Sequence, residues 1–172
     1  AVNITMLSKP SEKSPPIRRN GARPGDVICV TGTLGGSISG KHLSFTPRVK
    51  EALKITELVK VNSMMDISDG ISTDLKRICK QSRTGALLDE SLIPISNAAL
   101  KRDDPIAAAI NDGEDFELLF TLTEPDYRKL ISKWDMETPI TRIGSTDDTG
   151  VVKIKRKDGK VEAVTAKGYE HL

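Results

Sequence analysis

The sequence predicts an α/β sandwich: a mixed β-sheet with helices packed on it. Three observations carry that expectation. Apolar runs of strand length alternate with segments whose apolar residues recur at helical spacing. Hairpin signals gather late in the chain, as at Asp158-Gly159. A balance of 37% hydrophobic and 29% charged residues over 172 positions suits a globular domain with a real core.

Taken in order, Ala1 to Leu7 alternates apolar and polar residues and reads as a short strand starting at the first residue, so the chain looks cut there. Lys9 to Arg23, rich in Pro, Ser and Arg, reads as a linker, and Pro24 to Asp26 as a turn. Val27 to Thr31 is a strand of the buried type, followed by a glycine-rich loop from Gly32 to Gly40. Val49 to Val61 carries Ala52, Leu53, Ile55, Leu58 and Val59 at helical spacing. Ser63 to Ile67 is a short strand ending in acids. Ile71 to Gln81 is a helix with Ile71, Leu75, Ile78 and Cys79 on one face, and Gly85 is the expected stop. Gly85 to Leu88 is a strand, and Asn97 to Ile110 contains a helix. Glu117 to Leu122 is a strand, Pro125 to Trp134 an amphipathic helix, and Ile140 to Gly144 and Gly150 to Ile154 are strands. Val161 to Val164 closes a hairpin.

Composition excludes several function classes. Net charge is +2, and Lys and Arg are scattered rather than gathered into the stripe that a nucleic-acid footprint needs. The basic run Lys153 to Lys160 surrounds a hairpin turn and reads as solvated. The two cysteines, Cys29 and Cys79, lie in apolar segments without ligand spacing and are expected to be buried thiols. His42 and His171 form no metal or triad pattern. No apolar run reaches membrane-spanning length and no signal peptide opens the chain, so the expectation is a cytoplasmic protein with no nucleic-acid or membrane partner.

Three places gather residues that a stable core does not need. In Met64-Met65-Asp66-Ile67-Ser68-Asp69-Gly70, a strand delivers two carboxylates and a hydroxyl into a glycine turn that opens a helix. Hard cations such as Mg²⁺ take a few carboxylate oxygens together with phosphate oxygens, and a helix N-terminus favours anions. The plainer alternative is capping by Ser68 or Asp69, with Thr73 or Asp74 in support, which leaves Asp66 unexplained. The second place, Asn111-Asp112-Gly113-Glu114-Asp115-Phe116-Glu117, sets four acids between a helix and a strand. Such crowding needs cations or donors nearby, or else full exposure to water. In the third, Gly35, Gly40 and Lys41 match the phosphate-loop spacing, but His42 stands where that motif has Ser or Thr. Arg18 and Arg19 read either as solvated linker residues or as nucleotide-phosphate contacts. Tyr169 either stacks on a flat ring or seals the core.

Together the pieces Arg19 to Asp26, Val30 to Gly35, Thr46 to Val49, Asp66 to Ile71, Gly113 to Leu118 and Gly168 to His171 resemble thiamine-monophosphate kinase, in the superfamily of aminoimidazole ribonucleotide synthetase. The D-I-S-D-G and G-E-D-F-E-L pieces form the specific signature, and they stand in family order. The resemblance implies the C-terminal, ATP- and substrate-facing domain of such an enzyme, with residues 1–22 as the last strand of a missing N-terminal domain plus linker and 23–172 as the C-terminal domain. It implies Mg²⁺-assisted phosphoryl transfer from ATP to thiamine monophosphate, giving thiamine diphosphate. Asp66 and Asp69 match metal ligands with a catalytic role, Ser68 and Arg19 match ATP contacts, and Glu114 and Tyr169 match substrate contacts. It also implies a homodimer in the full-length protein, and no activity for this chain alone, because the G-D-D motif of the family's N-terminal domain is not in it. Three alternatives stay open: another ATP-dependent synthetase of the superfamily, a non-catalytic ligand-binding module with the same fold, and a phosphate-loop nucleoside triphosphatase using Lys41.

Overall fold

The structure, a computed structural model, describes residue 5 and residues 15–165. The expected strand Ala1 to Leu7, apart from Thr5, and Tyr169 fall outside the described residues.

Seven strands form one mixed sheet: β1 (Val27–Thr31), β2 (Ser63–Asp66), β3 (Gly85–Asp89), β4 (Leu118–Leu122), β5 (Ile140–Asp147), β6 (Val152–Lys155) and β7 (Val161–Ala163). Their spatial order is β2-β4-β1-β5-β3-β6-β7. Neighbours are antiparallel except β3 and β6, which run parallel. The helices are α1 (Lys41–Ser44), α2 (Val49–Leu58), α3 (Ile71–Ser82), α4 (Pro105–Asn111) and α5 (Glu124–Lys133).

Strand β1 lies third in the sheet, and all five of its residues are buried. Alternation along a strand sends neighbours to opposite faces. Ile28 and Val30 join Ile71, Leu75 and Ile78 of α3 in one core, whereas Val27 and Cys29 join Ile55 of α2, Phe120 and Leu130 of α5 in the other. Both faces of the sheet are therefore covered, and the mixed sheet with helices packed on it is the architecture the sequence predicts. Cys29 and Cys79 are buried free thiols.

Several local expectations change. Gly85 does not end α3; Arg83 does, in the left-handed conformation (φ 57°), while Gly85 opens β3 where a β-carbon would lie 2.2 Å from an Asp147 carboxylate oxygen. Between 97 and 110 only Pro105–Asn111 is α-helical, because Asp104 caps it by accepting from the Ala107 amide and Pro105 fits its first turn. Helix α2 ends at Leu58, and Leu53 is exposed rather than on the buried face. The Asp158-Gly159 turn joins β6 to β7 as expected, with Gly159 at φ 88°.

Candidate active site at one end of the sheet

Strands β2, β4 and β1 are adjacent and antiparallel, so the end of β2, the start of β4 and the end of β1 lie at the same edge. The two acidic segments and the glycine loop leave the sheet there. Their backbones continue the β2–β4 pairing past the strands. The Ile67 amide donates to the Glu117 carbonyl (2.8 Å), the Phe116 amide to the Ile67 carbonyl (2.9 Å) and the Glu114 amide to the Ser68 carbonyl (2.8 Å). Two glycines make this approach possible. A β-carbon on Gly113 would lie 2.6 Å from the Ser68 carbonyl oxygen, and one on Gly70, already at φ 87°, 2.8 Å from that of Asn111.

The helix cap differs from the expectation. Gly70 precedes α3, and neither Ser68 nor Asp69 caps it with a side chain. The Asp74 carboxylate instead reaches back and accepts from the amides of Ser68 and Asp69, both at 3.0 Å. Asp74 is fully buried, and burial raises its carboxyl above the ordinary range against those amides and Arg77. Arg77 pairs with Asp74 at 2.7 Å and also with Asp69, joining the two acids.

Of the residues singled out from sequence, Asp66, Ser68, Asp69 and Glu114 are carried by these two joined segments. Asp66 is exposed at the end of β2, and it lines a cleft of about 450 Å³ together with Arg19. Glu114 is exposed and has a left-handed backbone (φ 61°). Neither Asp66 nor Glu114 has a side-chain hydrogen bond or ion pair among the described residues. No three His, Cys, Asp or Glu side chains among the described residues converge to hold a metal ion.

The other acids of the second segment are already matched. Asp115 is 1% exposed and accepts from the Gly35 amide (2.9 and 3.0 Å) and the Ser37 hydroxyl (2.5 Å). Burial pushes its carboxyl up to about 6 against those donors. Asp112 accepts from the Gly36 amide at 2.9 Å. Glu117, also buried, takes two bonds from Arg48 (2.7 and 2.8 Å), one from Lys41 (2.8 Å) and one from Thr31 (2.8 Å). Burial pushes Glu117 up, but Arg48, Lys41 and Thr31 outweigh it and hold the carboxyl below its ordinary range.

These contacts correct the phosphate-loop alternative. The amides of Gly35 and Gly36 are filled by the chain's own carboxylates, and the Lys41 ammonium is held by Glu117 and the Thr33 carbonyl. The sequence reading has Asp74 only as support for the first turn and Arg48 only within the Thr46 to Val49 piece; it misses Arg77 and the matching of Asp112, Asp115 and Glu117. The spacing of Asp74 and Arg77, three apart on a helix, was a usable signal. The partners of Glu117 lie 69 to 86 residues away in sequence and left none.

The family described as AIR synthase related protein, C-terminal domain, matches residues 23–157. A thiamine-monophosphate kinase of Rhodopirellula baltica is 39% identical over 177 residues, covering 99% of this chain and 54% of that protein. The thiamine-monophosphate kinase of Escherichia coli K12 is 34% identical, covering 91% of this chain and 55% of that protein. A solved structure of AaThiL complexed with AMPPCP and TMP superposes with a TM-score of 0.74 at 29% identity, covering 91% of this chain and 54% of the other. The chain thus spans about half the length of the curated relatives it matches.

Proposed function

The chain belongs to the family of AIR synthase related proteins, as the C-terminal domain, and from that premise we propose that it is the ATP- and substrate-facing part of a thiamine-monophosphate kinase. The proposed reaction moves the γ-phosphoryl group of ATP onto a phosphate oxygen of thiamine monophosphate, giving ADP and thiamine diphosphate. The bond from the γ-phosphorus to its bridging oxygen breaks as the bond to the acceptor oxygen forms. No phospho-enzyme is part of this reading. The observation that carries it is the 2.8 Å bond from the Glu114 amide to the Ser68 carbonyl, which brings both signature segments to one edge. The names of the relatives and the AMPPCP and TMP of AaThiL support the choice of substrates.

Such a transfer needs positioning and charge compensation more than covalent help from the protein. In this reading Arg19 binds ATP phosphate oxygens, and its place beside Asp66 in one cleft supports that role. Ser68 contacts ATP, Glu114 orients thiamine monophosphate, and Tyr169 packs on the thiamine rings. Mg²⁺ takes one or two carboxylates plus phosphate oxygens, and Asp66 and Asp69 fit as that partial donor set. Bound there, it would neutralise charge on the reacting phosphates. Asp66 has no competing partner among the described residues, whereas Asp69 is held by Arg77, which fixes its direction and shares its charge. Within the proposal, residues 23–172 form the C-terminal domain, the remaining ligands come from an N-terminal domain, and the full-length enzyme is a cytoplasmic homodimer.

The test is an assay of the full-length protein with ATP and thiamine monophosphate. Formation of thiamine diphosphate that falls sharply in Asp66→Asn and Glu114→Gln is the expected result. Wild-type protein that binds nucleotide but forms no thiamine diphosphate would overturn the reading.

A further inference from the structure

We infer that Asp115, seconded by Asp112, is a positioning residue that sets Glu114 toward the phosphorylated acceptor, with the glycine loop serving as an internal receptor for carboxylates. The inference rests on the reading of Glu114 given above.

Four acids occupy positions 112 to 117, and three of them are spent on contacts inside the protein. Glu114 is the one whose side chain has no partner among the described residues. The two residues flanking Asp115 are both left-handed without being glycine: Glu114 at φ 61° and Phe116 at φ 50°. Each such residue costs about 1–2 kcal/mol and persists only where its surroundings hold it. Asp115 sits between them and is held by three bonds to the glycine loop. Phe116 is held in addition by Phe45, stacked at 4.1 Å between ring centroids. Glu117, on the other side, is held by Arg48 and Lys41. The loop from 31 to 48 therefore fixes every acid in the run except Glu114, and so decides where Glu114 stands.

The receptor itself is anchored. Gly35 and Gly36 are consecutive left-handed residues (φ 81° and 73°), and their successive amides go to two different carboxylates, that of Gly35 to Asp115 and that of Gly36 to Asp112. A β-carbon on Gly35 would lie 2.7 Å from the Ala109 backbone, so only glycine lets the loop lie against α4. The Ser96 hydroxyl donates to the Gly35 carbonyl, and Leu34 exchanges backbone bonds with Pro94 and Ser96. The Gly35 amide donates to both Asp115 oxygens and the Ser37 hydroxyl to one of them, so an amide group in this place sets its amino nitrogen against the Gly35 N–H. The charged groups that face Asp115 are Lys41 from α1 and Glu117 at the start of β4, with Asp112 on the adjoining amide.

The experiment uses the full-length protein. Asp115→Asn keeps the shape but turns an amino group toward a donor. We expect the KM for thiamine monophosphate to rise about tenfold while the KM for ATP changes less than about twofold. Ser37→Ala removes one donor and gives a smaller rise in the same parameter; it decides the matter if Asp115→Asn does not fold. The second readout is the pH profile of that KM. The substrate phosphate titrates near 6 in either enzyme, so the comparison lies in the part of the profile that Asp115→Asn removes. A purely structural residue would lower the melting temperature and leave the profile unchanged. Glu114→Gln separates the two failures. If it leaves the KM for thiamine monophosphate unchanged, the role of Glu114 falls and the positioning role falls with it. If it raises that KM while Asp115→Asn and Ser37→Ala do not, only the positioning role is overturned.

Discussion

Gly70 stands so close to Asn111 that a β-carbon at position 70 would lie 2.8 Å from the Asn111 carbonyl oxygen. That contact presses the start of α3 against the end of α4 and holds the two acidic segments in register. The backbone at Gly70 is also left-handed, at φ 87°. Gly70→Ala is expected to destabilise the fold by about 2–4 kcal/mol, combining the strained φ with the collision. Urea unfolding measures this; a loss below about 0.5 kcal/mol would mean that the segments are not locked here.

Asp69 and Asp66 should respond differently to substitution. Asp66 is exposed and has no side-chain partner among the described residues, whereas Asp69 shares Arg77 with the buried Asp74. In the full-length enzyme, Asp69→Asn is expected to reduce turnover about tenfold or more and to raise the Mg²⁺ concentration needed for half-maximal rate. Unchanged Mg²⁺ dependence in both Asp66→Asn and Asp69→Asn would count against their role as ligands.

Glu117 makes a stability prediction that needs no substrate. Its carboxylate is buried and held below the ordinary range by Arg48, Lys41 and Thr31. A carboxyl lowered in the folded state adds stability above its unfolded pKa, and that stability is lost as pH falls through the folded value. Glu117→Gln is expected to cost about 2–3 kcal/mol at neutral pH, discounted because Arg48 and Lys41 are partly exposed. The penalty should shrink below pH of about 4. Thermal melts across that range check both magnitude and sign; a constant penalty would contradict the assignment.

Lys41 has its ammonium on Glu117 and the Thr33 carbonyl. Lys41→Ala should therefore lower the melting temperature while leaving the affinity for ATP within about twofold of wild type. Loss of ATP binding in a variant that stays folded would restore the phosphate-loop alternative.

The chain spans about half the length of its curated relatives. Incubated alone with ATP and thiamine monophosphate, it is expected to fold, by circular dichroism, and to form no thiamine diphosphate. Measurable product from the chain alone would show that the described residues, with their two termini, hold a complete site.

The parts of the fold written in local periodicity were legible in the sequence. The burial of all five β1 residues and the buried stripe of α3 follow from apolar spacing alone. The joining of Asp66–Gly70 to Gly113–Glu117 was legible only through the resemblance, since 42 residues lie between Gly70 and Gly113 and nothing local ties them. For the acid run the sequence leaves open cations, donors or full exposure, and the structure supplies cations and donors from within, through Arg48, Lys41 and loop amides. Those partners were hidden because a backbone amide leaves no trace in residue identity, and because Arg48 sits in a segment whose other residues are largely exposed. The stop of α3 comes two residues before the expected Gly85 for a related reason: the chain ends the helix with a left-handed arginine and keeps the glycine for the close pairing of β3 with Asp147 of β5.

The sheet order puts β2, with Asp66, on one margin and the β6–β7 hairpin on the other. Lengthening or tagging the exposed turn at Asp158-Gly159 would load the margin remote from Asp66. An affinity handle or fluorophore placed there would let ligand binding be followed while the working edge stays untouched.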